Sequence, residues 1–352
     1  MLYQTKNPHG GDVYERPIRL DFSANTNPHG TPPGVLEAVR GSLPRLREYP
    51  DPYCRALVSA IAAAEDVPAE YILCGAGAAE LIYSYCAALR PKRAVELAPT
   101  FSEYSLGLSR AGGEMARYAL SPDDGFRLGG GFLDFLAAER PEAVFLCNPN
   151  NPTGRLIDPA LLAEICALCK REGIRLFLDE CFLDLTERGR SLRPRLADFP
   201  GLFLLKAFTK SYGMAGLRLG YCLSADAALL HRMGDDVQPW NVSVPAQAAG
   251  VAALRETAFL EMAKRTIETE RPRLAAALAA LGLAVCPSDA NYLLFSGPAG
   301  LDAAMKAEGI AIRSCANYHG LGEGWYRVAV RLPEENDELA AALRRCLGRK
   351  EK

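Results

Sequence analysis

A chain of 352 residues carries 40 Lys and Arg against 42 Asp and Glu, a formal net charge of −2, and its basic residues form no long run. Without a concentrated positive footprint, nucleic acid is excluded as the main partner. Apolar residues make up 49% of the chain, enough for a large domain and a smaller one, yet no stretch of about 20 apolar residues occurs that would cross a bilayer.

The opening MLYQTKNPHGGD has neither the apolar core nor the cleavage pattern of a secretory leader. The 11 cysteines are scattered through apolar segments, the usage of buried free thiols in a reducing compartment. A cytoplasmic protein is therefore expected. Cys166 and Cys169 form a C-x-x-C, but inside the helical run Leu161–Lys170 and without a second pair, so no metal is expected.

In chain order, the segment up to about Pro33 is rich in Pro, Gly and Asn and reads as irregular. It must pack against something, and the edge of the C-terminal part is the expected place. From about residue 70 to 225, short apolar runs alternate with amphipathic ones. Tyr71–Cys74, Ala94–Ala98, Ala143–Cys147, Ile174–Leu178 and Leu202–Leu205 read as strands, and Ala79–Leu89 and Pro159–Glu172 as helices. This alternation predicts an α/β fold with a mostly parallel sheet covered on both faces. The Ala-rich run Pro245–Ala280 reads as helical, with Pro272 as a kink. Strand Asn291–Phe295, helix Leu301–Glu308, strand Trp325–Leu332 and helix Glu335–Leu347 then form an α+β pattern. The expected division is residues 34–250 as the large domain, with 1–33 and 251–352 as the small one.

Four motifs carry the chemistry. In Gly75-Ala76-Gly77-Ala78-Ala79-Glu80, small residues at a strand-to-helix turn let the backbone N–H groups of Gly77, Ala78 and Ala79 approach a phosphate, helped by the helix dipole. The third glycine of a dinucleotide fingerprint is missing. Cys147-Asn148-Pro149-Asn150-Asn151-Pro152-Thr153-Gly154 makes a rigid turn after a strand, where open α/β sheets bind ligands; Asn151 is placed to donate to a phenolate oxygen. Asp179 ends an apolar strand, and a buried carboxylate needs a cation such as a protonated pyridine nitrogen. In Ala207-Phe208-Thr209-Lys210, a desolvated Lys210 becomes a nucleophile. Arg218, eight residues on, forks onto a phosphate beside the Thr209 hydroxyl. Each motif alone has an ordinary alternative: a plain turn, a capping Asp, a solvated Lys. Their succession in one chain is what argues for a site.

That succession, G-x-G, N-N-P-T-G, D-E and T-K-x₇-R, resembles the class I/II aminotransferase family over essentially the whole chain. The resemblance implies the fold of pyridoxal-5′-phosphate (PLP) dependent transferases, the aspartate aminotransferase type or fold type I, with a mostly parallel seven-stranded sheet in the large domain and a smaller α+β domain. It implies PLP carried by Lys210 and paired with Asp179. Phe101 of Pro99-Thr100-Phe101 would stack on the pyridine ring. Tyr49 of Tyr49-Pro50-Asp51 would reach the cofactor phosphate of the neighbouring subunit, which implies a homodimer with shared active sites. A non-enzymatic regulator built on the same fold would add a DNA-binding module, for which the chain has no room.

Within the family, the chain resembles the branch holding histidinol-phosphate aminotransferases and threonine-phosphate decarboxylases. His9-Gly10-Gly11, Leu20–Pro28, Gln238-Pro239-Trp240-Asn241, Ala290–Leu294, Arg313-Ser314-Cys315-Ala316-Asn317-Tyr318 and Tyr326–Arg331 are similar to the decarboxylases. Phe182 stands where transaminases of the branch usually carry a Tyr three residues after the strand-end Asp, and Ala207 where relatives often carry Ser or Thr. By this resemblance, Arg313 and Arg327 bind the substrate's anions, with His9, Gly10, Asn25 and Asn151 completing the substrate site. The implied reaction is decarboxylation of L-threonine O-3-phosphate to (R)-1-amino-2-propanol O-2-phosphate, a step of cobalamin biosynthesis. The alternatives are histidinol-phosphate aminotransferase and O-phosphoserine decarboxylase.

Overall fold

The computed structural model describes residues 9–14 and 17–348. Residues 1–8 of the opening read for a leader, and the last four residues of the C-terminus, lie outside that range. The chain begins with β1 (Leu20–Asp21), α1 (Pro33–Ser42) and α2 (Arg55–Glu65). There follow β2 (Ile72–Gly75), α3 (Ala78–Leu89), β3 (Arg93–Ala98), α4 (Glu103–Arg110), β4 (Glu114–Ala119), α5 (Gly131–Glu139), β5 (Ala143–Cys147), α6 (Pro159–Glu172) and β6 (Arg175–Asp179). Next come β7 (Leu202–Ala207), the one-turn α7 (Phe208–Ser211), β8 (Gly220–Ser224), α8 (Ala227–Asp236), α9 (Val244–Ala253) and α10 (Thr257–Ala279). The chain ends with β9 (Ala284–Val285), β10 (Tyr292–Ser296), α11 (Leu301–Ala307), β11 (Ile310–Ala311), β12 (Arg313–Ser314), β13 (Trp325–Ala329) and α12 (Pro333–Gly348).

Seven strands form the large sheet in the order β2-β8-β7-β6-β5-β3-β4. Only β8 runs against its neighbours, so the sheet is mostly parallel, as expected. Strands such as Ala143–Cys147 and Leu202–Ala207 are buried along their whole length, which is why they read as continuous apolar runs rather than alternating ones. One face carries an aromatic layer: Phe177 stacks on Phe203 at 4.8 Å and lies 5.0 Å from Phe145, with Tyr85 set edge-on to Phe177. The other face packs Val144, Leu146, Leu178 and Leu204 into the main core. Local signals place the covering helices. In α6, Asp158 caps the first turn by accepting from the Ala160 and Leu161 N–H groups, Pro159 opens the helix, and Gly173 (φ +71°) ends it.

A four-stranded antiparallel sheet, β12-β13-β10-β9, forms the second layer, with α10 and α12 against it. The N-terminal segment joins this part: β1 pairs with β11, and Phe22 donates to the Ala311 carbonyl and accepts from the Ala329 N–H. It also reaches the large sheet, since the Asn27 N–H donates to the Lys210 carbonyl at 2.9 Å. One detail differs from the sequence reading. The run Pro245–Ala280 is two helices, because α9 packs along α1 while α10 must turn toward the second sheet. Tight bonds from the Arg255 and Glu256 N–H groups to the Ala252 and Ala253 carbonyls make that turn. Helix α10 runs through Pro272, as the helical reading of this stretch has it. Among the described residues, no helix is long and apolar enough to cross a membrane.

Candidate active site

The carboxyl ends of β2, β3, β5, β6 and β7 open on a cavity of about 230 Å³. It is lined by His9, Gly10, Asn25, Ala78, Ala79, Phe101, Asn151, Asp179, Thr209, Lys210, Arg218, Arg313 and Arg327, and Gly77 adjoins it through Arg218. The fold thus gathers residues from four motifs and both chain ends. Tyr49 is absent from the cavity of its own chain; its ring is 77% exposed and lies 4.6 Å from that of Trp240.

Asp179 forms the floor. It is the last residue of β6, where the strand reading had stopped one residue short. Its Oδ2 accepts from the Tyr104 hydroxyl at 2.6 Å and its Oδ1 from the Cys181 backbone N–H at 2.9 Å. Burial pushes the carboxyl's pKa up, and hydrogen bonds from the Cys181 thiol, the Tyr104 hydroxyl and the Cys181 N–H pull against it. Asp179 forms no ion pair among the described residues, so the site holds a carboxylate in want of a cation.

Lys210 sits on the single turn after β7. The Asn27 side chain donates to the Ser211 carbonyl and the Thr31 hydroxyl to that of Gly213, which ties this turn to the N-terminal segment. A Cβ on Gly213 would lie 2.5 Å from the Gly30 carbonyl oxygen, so glycine is required for that approach. The half-buried ammonium is pushed down to about 8, first by burial and then by the charges of Arg327 and Arg218. Its Nζ lies 5.5 Å from the centre of the Phe182 ring, and that ring packs edge-on against Tyr292.

An anion cup lies at the start of α3. Glu80 accepts from the Ala76 N–H at 2.7 Å and from the Asn241 side chain at 2.6 Å, leaving the first-turn N–H groups of the helix to a ligand. Gly77 has φ +90°, and a Cβ there would lie 2.5 Å from Arg218 Nη2. The glycine makes room for the guanidinium.

The opposite wall is cationic. Arg327, on β13, is 6% exposed; it donates to the Asn151 side-chain oxygen and, at 2.9 Å, to the Ser23 carbonyl. Its Nε has no partner and it forms no ion pair among the described residues. A buried guanidinium without a counter-ion is costly and makes the wall a receptor for an anion. Arg313 is directly opposite it across the β12–β13 pair, so both side chains leave the same face of the sheet. It donates to Asn317 at 2.7 Å and lies over the Tyr318 ring. Asn25 is 1% exposed with neither amide atom paired among the described residues. His9 is held by Glu103, Nε2 to Oε1 at 2.8 Å, with its ring 5.7 Å from that of Phe101.

Residues 17–343 match the model of the family "Aminotransferase class I and II". The chain belongs to this family. One relative, the threonine-phosphate decarboxylase of Salmonella typhimurium, is 38% identical over 351 residues, covering 96% of each chain. The chloroplastic histidinol-phosphate aminotransferase of Nicotiana plumbaginifolia is 33% identical over 93% of this chain and 78% of its own. A solved structure, the histidinol-phosphate aminotransferase of Sinorhizobium meliloti in complex with pyridoxal-5′-phosphate, superimposes with a TM-score of 0.85 at 25% identity, over 95% of this chain and 92% of that one.

The site fits the PLP that membership in this aminotransferase family implies. A buried carboxylate lacks a cation, a lysine amine has its proton loosened, and a helix start with an arginine awaits a phosphate. Phe101 is placed to cover the ring, and Asn151, whose oxygen is taken by Arg327, has its N–H bonds to offer a phenolate. Ala207 lines the cavity but brings no donor, so the cup relies on the helix start, Thr209 and Arg218. Sequence reasoning missed Tyr104, Cys181 and the Ser23 carbonyl. For Tyr104 no local signal existed, because the carboxylate it meets lies 75 residues on.

Proposed function

We propose that this chain is a PLP-dependent carboxy-lyase that converts L-threonine O-3-phosphate into (R)-1-amino-2-propanol O-2-phosphate and CO₂, a step of cobalamin biosynthesis. One observation carries the choice of substrate: Arg313 and Arg327 stand side by side on the wall facing Lys210. Two guanidinium forks suit a substrate with two anions, a carboxylate and a phosphate. Histidinol phosphate carries only one, although the 2-oxoglutarate that would take up its amine carries two. Phe182 supports the same reading, since it leaves no phenol beside Lys210.

When bound, PLP supplies an electron-accepting ring for the charge left at Cα. Asp179 keeps that ring's nitrogen protonated. Phe101 would cover one ring face, and Asn151 would hold the phenolic oxygen. The Ala78 and Ala79 N–H groups, Thr209 and Arg218 anchor the phosphate. Arg313 and Arg327, with His9, Gly10 and Asn25, grip the substrate's anions. Gripping both anions would leave these residues to set which bond at Cα is presented to the cofactor, and so the choice of decarboxylation. Lys210, with its ammonium near pKa 8, would carry the cofactor and, when freed from it, could give up and take back protons near neutral pH.

The active unit is a homodimer with shared sites. Leu43, Leu46, Tyr49, Tyr53 and Trp240 are all at least 47% exposed, a patch suited to a second copy, with Tyr49 directed to the neighbour's cofactor phosphate. Residues 34–250 form the cofactor domain, and 1–33 with 251–352 the substrate-closing one. The buried free thiols suit a cytoplasmic setting. The test is an incubation of holoenzyme with L-threonine O-3-phosphate without any keto acid, with CO₂ and amine followed by mass. Many turnovers per site support the reading; no CO₂, with conversion of histidinol phosphate once 2-oxoglutarate is added, overturns it.

A further inference from the structure

One fully buried hydroxyl at the floor of the site has no part in the chemistry above. We propose that Tyr104 is a positioning residue, whose hydroxyl keeps the Asp179 carboxylate ionised and aimed at the cofactor ring nitrogen. The inference rests on the PLP reading above and adds to it.

Tyr104 is in the first turn of α4 and has no exposed surface. Its ring stacks on Phe145 at 5.8 Å, lies 5.8 Å from Phe177, and meets Phe101 edge-on at 5.7 Å. Packing therefore fixes the direction of the phenol, which donates to Asp179 Oδ2 at 2.6 Å, a length expected of a bond to a charged acceptor. The Cys181 N–H holds the other oxygen. Held by the Tyr104 hydroxyl on one side and by the Cys181 N–H and thiol on the other, the carboxylate is fixed in orientation at the cavity that Asp179 lines. The phenol keeps its own proton, because burial and the Asp179 charge both push its pKa well up. It is thus a donor throughout the working pH range. Helix α4 sets both faces of the problem: Phe101 just before it meets the ring face, and Tyr104 grips the group that meets the ring nitrogen.

Tyr104→Phe removes only the hydroxyl. The apoprotein should melt within a few degrees of wild type, since the ring contacts stay. Affinity for PLP, titrated by the change in visible absorbance, should fall roughly ten- to hundredfold, the loss expected for one hydrogen bond to a charged group. The acid limb of that affinity should move to higher pH, because Asp179 then protonates more readily. With 3-fluorotyrosine at position 104, whose hydroxyl is more acidic and whose ring volume is kept, the limb should move to lower pH. In an Asp179→Asn background, Tyr104→Phe should change affinity less than twofold. An unshifted limb in both variants, or an equal loss in the Asp179→Asn background, would overturn the proposal. Failure of wild type itself to bind PLP would overturn the cofactor reading, and this one with it.

Discussion

Replacing Arg327 by Met separates a substrate-binding arginine from a structural one. Two terms oppose each other in the apoprotein. The change removes hydrogen bonds to Asn151 and the Ser23 carbonyl, worth about 1.5–3 kcal/mol each for a charged donor. It also removes a buried charge that has no counter-ion among the described residues, and exchanging buried charge for apolar volume is often neutral or stabilising by about 1–4 kcal/mol. The two terms leave a net loss of about 2 kcal/mol, so the apoprotein's melting temperature should fall by only a few degrees. The substrate loses its buried ionic partner, a loss of about 2–5 kcal/mol, or roughly 30- to 4,000-fold in kcat/KM. The same charge holds down the Lys210 pKa, so the Lys210 titration should move upward in the variant. Calorimetry of the apoprotein and CO₂ release from threonine phosphate read the two effects. An apoprotein destabilised by several kcal/mol, with kcat/KM unchanged in the folded fraction, would show that Arg327 is structural and refute the reasoning.

Further outcomes follow from the lysine and the cup. Lys210 has a pKa of about 8 in the folded chain against an ordinary 10.5, so between those values the unfolded chain holds a proton that the folded one has lost. The stability it contributes therefore rises with pH across that window. Wild-type apoprotein should gain on the order of 2–3 kcal/mol over Lys210→Met from pH 8 to 10.5, read by urea denaturation of both; a flat difference would contradict the buried, loosened amine. Gly77→Ala puts a Cβ into the space of Arg218 at a positive φ, a strain of about 1–2 kcal/mol. Its PLP dissociation constant should rise at least tenfold while the apoprotein still folds, and unchanged affinity would remove Arg218 from the cup.

The residues legible in the sequence are those whose place follows from local pattern. An apolar run ending in Asp179, a turn carrying Asn151 and a strand leading to Lys210 fix three side chains at strand ends, where parallel sheets bind ligands. What stayed hidden depends on contacts between distant parts of the chain. The Arg327 partner Ser23 is 304 residues away, and the Tyr104 hydroxyl meets a carboxylate 75 residues on. The split between α9 and α10 has no signal in an Ala-rich run; it comes from packing on α1. Tyr49 shows a different limit: its exposure in one chain gives no sign of a partner's site.

The most direct test compares two reactions of one holoenzyme preparation: kcat/KM for CO₂ release from L-threonine O-3-phosphate without keto acid, and kcat/KM for amino transfer from histidinol phosphate to 2-oxoglutarate. The paired arginines and Phe182 predict a ratio above one, in favour of decarboxylation. A ratio below one would contradict the account, because hydrogen abstraction, and not loss of CO₂, would then be what this site performs.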